Sequence, residues 1–184
     1  MNHNLFEYIE FTDDLKIGID LIDSQHKEII RIYNMFVVEI NQIIFTAMHL
    51  KNDSSLDINE STTIGDIPVI AEEAKNLIDV LVEYVTNHFN DEEQLMQQFH
   101  YSEFEKHSQK HVEIKDEILY YKDAMHRNEL RLIEFVEFFY GWVINHIKNV
   151  DSHLIKEYKE FIEHNDHVDH VDHHESNQTN TLLY

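Results

Sequence analysis

Seven polar residues stand where a helical protein would bury them: His26, His88, Glu92, His107, His111, His146 and Asp151. Each falls on the apolar stripe of a predicted helix, Asp151 less simply than the others. A buried imidazole is tolerable, but a buried ionised carboxylate costs several kcal/mol unless a cation or a donor offsets it. Side chains of these types converging on one interior volume therefore ask for a metal. His88 and Glu92 are four residues apart, as are His107 and His111, which places each pair within about 40° on one helix face. Each pair can chelate one centre from a single helix. Five imidazoles and two carboxylates exceed the needs of one tetrahedral or octahedral ion once a ligand position stays open, whereas two ions bridged by the carboxylates use all seven. Imidazole with carboxylate suits iron, zinc, copper or manganese, so the spacing points to a dinuclear centre and leaves the metal open. His146 and Asp151 are five residues apart, which an ideal α-helix splays by about 140°. The expectation there is a π-bulge, with an i to i+5 hydrogen bond near residues 146 to 151.

Composition narrows what such a centre can serve. There is no cysteine, so thiolate sites and disulfides are excluded and any metal must be held by nitrogen and oxygen. With 14 Lys+Arg against 36 Asp+Glu, the formal charge of -22 repels phosphate backbones and anionic lipid, so neither nucleic acid nor membrane is an expected partner. The N-terminus lacks the basic start and apolar run of a secretion signal, and no apolar stretch is long enough to span a bilayer. A cytoplasmic protein is the expectation. Three Gly and one Pro in 184 residues leave few stops, which favours long helices around one core.

The elements that must position the seven residues follow from the apolar period. Ile22, Ile29, Tyr33, Phe36 and Ile40 predict a first helix starting near Asp23 or Ser24. Residues 51–66 are rich in Asn, Asp, Ser and Thr and read as a long loop. Asp66 and Pro68 then suit a helix start, and Leu77, Leu81, Val85, His88, Glu92 and Phe99 carry a second helix to Phe99 or His100. Ser102 with Glu105 has the spacing of a capping box opening a third helix through His107, His111, Ile118 and Tyr121, with a break near Arg127 and Asn128. A fourth helix runs from Leu132 through His146 to Phe161. The fold class is all-α, an up-down-up-down four-helix bundle with a dinuclear metal site in its core. The bundle takes residues 1–163, and residues 164–184, with His167, His170, His173 and His174 among acids, read as a disordered, solvated tail.

The segment GIDLIDSQH ending at His26, HFNDEEQLM from His88, HSQKH from His107, and WVINHIKNVD from Trp142 to Asp151 resemble the four ligand-bearing motifs of the hemerythrin family, in the family's order. They span nearly all of residues 17–154. The resemblance implies two Fe ions with an oxo or hydroxo bridge. One would take His107, His111 and His146; the other would take His26 and His88 and keep an open position; Glu92 and Asp151 would bridge them. It also implies an apolar ligand pocket of Ile29, Phe89, Trp142 and Ile147, with O2 binding the open iron as hydroperoxide and leaving by the reverse steps. The long joint at 51–66 and the tail depart from the family pattern, but neither touches a ligand.

Two function classes follow. The first is reversible binding of molecular oxygen for storage, delivery or sensing, without catalysis. The alternative is a di-iron enzyme acting on nitric oxide, peroxide or ferrous iron. Turnover on oxygen needs proton donors beside the bound intermediate, whereas the implied pocket is apolar. The twin Glu-x-x-His pattern of ferritin-like carboxylate bundles is also absent. Both points favour binding.

Overall fold

A computed structural model of the chain describes residues 6–52, 67–127, 129 and 131–175. Five α-helices make up its described part: α1 (Asp20–Asn52), α2 (Ile67–Gln98), α3 (Phe104–His126), α4 (Leu132–Asn149) and α5 (Leu154–Glu175). No strand occurs among the described residues. Helix α1 packs on α2 and α4, and α3 packs on the same two, closing a ring around one core. His26 lies near the start of α1, His88 late in α2, His107 early in α3 and His146 near the end of α4. All four side chains meet, so successive helices run in opposite directions, and the chain is the expected four-helix bundle.

Ile22, Ile29, Phe36 and Ile40 of α1, Ile78 and Leu81 of α2, and Phe135 and Phe139 of α4 fill the core, all at most 2 % exposed. The half of the bundle away from the polar cluster is aromatic: the Phe36 ring sits 4.8 Å from Phe135, and Tyr33 stands edge-on to Phe139 at 5.5 Å. Such packing supplies most of what holds helices of this length together. An arm before α1 is tied to the bundle by Asn34, which accepts from the Ile9 N–H and donates to the Ile9 carbonyl, both at 2.9 Å.

The ends of the elements show where local chemistry decides. Helix α1 begins at Asp20, about a turn ahead of the expected start, behind a turn clamped by Asp23. The Asp23 carboxylate accepts the N–H groups of Ile17 at 2.8 Å and Gly18 at 3.0 Å. Gly18 needs its positive φ of 83° there, and a Cβ on it would stand 3.4 Å from Ile155 Cδ1. Helix α2 ends in a Schellman turn: His100 takes φ 56°, and the Tyr101 N–H returns to the Met96 carbonyl at 2.9 Å.

Three expectations are corrected. The capping box does not form; Glu103 is the N-cap of α3 and makes no side-chain cap bond. Ser102 instead gives its N–H and hydroxyl to the Glu157 carboxylate on α5, at 2.9 and 2.6 Å, a partner that only the folded chain brings within reach. The single fourth helix is two: α4 stops at Asn149, and a 3₁₀ turn at Asp151–His153 leads into α5. Helix α5 then continues to Glu175, into the segment read as disordered from His164, over a stretch with no Gly or Pro to stop it. The predicted loop at 51–66 lies outside the described residues except for Lys51 and Asn52, which are helical, and residues 176–184 lie outside them too.

Candidate metal centre

Helix register alone brings most of the site together. His88 and Glu92 sit one turn apart on α2, and His107 and His111 one turn apart on α3, each pair turned inward by the apolar residues that share its stripe. His26 comes from α1 and His146 from the last turn of α4. The π-bulge expected between His146 and Asp151 is not what joins them. Val150 N–H still bonds to the His146 carbonyl at 2.8 Å, an i to i+4 bond, and Val150 stays in the right-handed region at a stretched φ of −107° with ψ −61°, while His153 N–H bonds back to Val150 at 3.2 Å. The chain kinks and tightens into a 3₁₀ turn instead of widening. That re-aims Asp151, so that its Oδ1 lies 3.0 Å from His146 Nε2.

All seven residues meet in one dry volume. His26, Glu92 and Asp151 are 0 % exposed, and His88, His107, His111 and His146 are at most 4 % exposed. The ligand-type atoms fall in two sets, Glu92 with His107, His111, His146 and Asp151, and His26 with His88 and Asp151. Asp151 is common to both. Its Oδ2 faces His26 Nε2 at 3.1 Å, while Oδ1 faces His107 Nε2 at 3.3 Å as well as His146. Glu92 Oε2 faces His111 Nε2 at 3.2 Å and His107 Nε2 at 3.5 Å.

These approaches are not hydrogen bonds of sound geometry. Both oxygens of Glu92 and of Asp151 lack a hydrogen-bond partner, as do the Nε2 atoms of His26, His107, His111 and His146. Native proteins leave only a few buried polar atoms unsatisfied, and here most of them gather in one place. Lone pairs of carboxylates and imidazoles facing one another across about 3 Å, shut off from water, are what a cation would satisfy. The donor set, nitrogen and oxygen only, fits iron.

The electrostatics agree. Burial pushes His88 down to about 3 and His146 down to about 4, so both are neutral lone-pair donors at ordinary pH. Burial also works against charge on His107, but the Asp151 and Glu92 carboxylates outweigh it and hold this imidazole up at about 9. His146, His107 and His26 hold Asp151 well below the usual carboxylate range despite its burial.

Residues outside the sequence-derived set orient the imidazoles. Gln25 Oε1 sits 3.0 Å from His88 Nδ1, and its amide donates to Asp91 Oδ2 at 2.6 Å. Glu93 Oε1 lies 2.8 Å from His111 Nδ1. Sequence reasoning passed over Gln25, Asp91 and Glu93 because they occupy half-exposed flanks of the helices; their adjacency to His26 and Glu92 was the available signal.

The four pocket residues are buried. Phe89 stacks on the His111 ring at 3.9 Å, Trp142 is 6.1 Å from Phe89 and 6.5 Å from His146, and Ile29 and Ile147 belong to the main apolar core. Trp142 Nε1 is buried and has no acceptor. A cavity of about 140 Å³ is lined by His107 together with Tyr101, Lys106 and His153.

An all-α bundle whose interior carries a shared carboxylate between two imidazole sets is a helical metal-binding protein of the non-haem type. Residues 17–158 match the hemerythrin HHE cation binding domain, and the chain belongs to the hemerythrin family. It is similar to the bacteriohemerythrin of Stenotrophomonas maltophilia (strain R551-3), 27% identical over 140 residues that cover 76% of this chain and 74% of that protein. It is also similar to the bacteriohemerythrin of Pseudomonas paraeruginosa (strain DSM 24068 / PA7), 26% identical over 145 residues, 79% of this chain and 78% of the relative. No helix among the described residues is long and apolar enough to cross a membrane.

Proposed function

We propose that the chain binds molecular oxygen reversibly at a dinuclear non-haem iron centre. The observation that carries this reading is the double membership of Asp151, one oxygen of which faces His26 and the other His107 and His146. A carboxylate placed that way serves two ions. In this reading His107, His111 and His146 would hold one iron, His26 and His88 would hold the other, and the Glu92 and Asp151 carboxylates would serve both, with an oxo or hydroxo group completing the set. A pair of irons held there would supply the reversible two-electron chemistry that oxygen binding needs.

The protein's own part is to hold neutral imidazoles ready, to supply the bridging charge, and to keep water away. Phe89, Trp142, Ile29 and Ile147 are buried side chains; in this reading they would line the open side and slow the protonation that lets reduced oxygen leave irreversibly. Trp142 Nε1 is a donor only and does not give up its proton, so it can steady a bound ligand without driving turnover. That favours a carrier over an enzyme acting on nitric oxide, peroxide or ferrous iron. We take residues 1–163 as the working domain, within which the family match falls.

The test is metal content with the visible spectrum of the reduced protein before and after air. Two irons per chain and a colour that appears on aeration and fades under vacuum are expected. One zinc per chain, or an iron-loaded protein that stays colourless in air, overturns the reading.

A further inference from the structure

Two of the site's imidazoles are backed by unlike groups. On α2, His88 Nδ1 faces the side-chain oxygen of Gln25 at 3.0 Å. That amide cannot be turned round, because its nitrogen donates to Asp91 Oδ2 at 2.6 Å and would otherwise lose that bond. An amide oxygen only accepts, so His88 carries its proton on Nδ1 and keeps the Nε2 lone pair free. On α3, His111 Nδ1 donates to the Glu93 carboxylate at 2.8 Å, leaving Nε2 toward Glu92 at 3.2 Å. The tautomers are the same; the acceptors are not.

We propose that Gln25 and Glu93 are positioning residues that give the two halves of the site histidines of unequal donor strength, so that the metal on the His26/His88 side is the more labile of the two. The inference rests on the dinuclear reading above. A hydrogen bond to a carboxylate is roughly twice as strong as one to a neutral acceptor. It draws the Nδ1 proton away and makes the opposite nitrogen a better electron donor to a metal. His111 has that support, and it lies on the side that already has three imidazoles. His88 has an amide, and the Asp91 charge behind it is one group removed. Nδ1 of His26 on that side and Nδ1 of His107 on the other both lack a hydrogen-bond partner, so the contrast in support rests on His88 and His111. Ligand number and ligand strength therefore point the same way, which separates the two positions more than either does alone.

The experiment follows iron release from the two-iron full chain to a ferrous chelator under anaerobic conditions. The wild type should release its irons in two phases. Glu93→Gln should accelerate the slow phase about tenfold or more, the usual effect of losing such a partner, and leave the fast phase within about twofold. The paired change Gln25→Glu with Asp91→Asn keeps one carboxylate against one amide but gives His88 the anionic acceptor, and the fast phase should slow. A second readout needs no iron: in the zinc-loaded, diamagnetic chain the His111 Nδ1 proton should resonate downfield of that of His88, and Glu93→Gln should move it upfield. Two irons leaving at one rate, or slow-phase kinetics and a His111 proton untouched by Glu93→Gln, overturn the inference alone. A chain that never takes up two metals overturns the dinuclear reading instead, and this inference with it.

Discussion

His146 Nε2 and Asp151 Oδ1 lie 3.0 Å apart across a break in the helix, not along one. The kink at Val150 turns Asp151 under the imidazoles of three other helices, where it alone belongs to both metal-ligating sets. Replacing Asp151 by Asn keeps the shape and removes the charge. The expected result is iron content falling from two to one or fewer per chain, with the helical circular dichroism unchanged. Retention of both irons by Asp151→Asn would show that Glu92 bridges the pair unaided.

The metal-free chain should be most stable near pH 6.5 and lose stability on either side. His107 is held up at about 9 against its ordinary 6.5, so its contribution is complete below pH 6.5 and is lost as pH rises through 9. His88 and His146 are pushed down to about 3 and about 4. The folded chain resists protonating them, so their contribution is present above pH 6.5 and is lost as pH falls toward those values. Urea unfolding of the metal-free protein between pH 4 and 9 measures this. Iron loading should flatten the alkaline arm, because the metal replaces the proton on His107. A midpoint that stays constant from pH 6.5 to 9 without metal would mean that His107 is neutral there.

Gly18→Ala should destabilise the fold without altering the site's ligands. A side chain at φ 83° costs about 1–2 kcal/mol, and the added Cβ stands 3.4 Å from Ile155. For a chain of this size each kcal/mol lowers the melting temperature by about 2–4 °C. Differential scanning calorimetry should therefore show a drop of several degrees, and Gly18→Asn, which tolerates that backbone better, a smaller one. An unchanged melting temperature in Gly18→Ala would mean that the turn relaxes freely.

The sequence made the bundle legible because Ile, Leu and Phe recur at helical spacing, and made the site legible because a buried Glu92 and Asp151 have no bland explanation. What it hid are features set by partners distant in the chain. Ser102 has the local pattern of a cap, yet Glu157, which packs against it only in the folded protein, takes its hydrogen bonds. The i, i+5 spacing of His146 and Asp151 signalled a departure from the α-helix but not its kind, since a wide turn and a tight one both re-aim the side chain. Gln25 and Glu93 gave no periodic signal, being half-exposed, and only the folded chain shows which imidazole each one meets.

A carrier and an oxidase differ in how fast the oxygenated form decays. Reduced oxygen is lost irreversibly when it is protonated and leaves, so an apolar wall without titratable groups should prolong the oxygenated form. Ile147 follows His146 directly and is 3 % exposed among core residues. If Ile147 lines the proposed pocket, Ile147→Glu puts a titratable group, and the water that follows it, beside the bound oxygen. Decay of the oxygenated form to the diferric state should then accelerate and acquire a pH dependence, faster as the new carboxyl is protonated, that the parent lacks. Because a buried acid can unfold a core, Ile147→Gln serves as the second variant: it is polar but does not titrate, so it should speed decay without the pH dependence. Circular dichroism and a two-iron content establish that each variant is folded and loaded. Decay rates equal to the parent's in both variants would show that Ile147 does not line the pocket, and that whatever protects the oxygenated form lies on another wall.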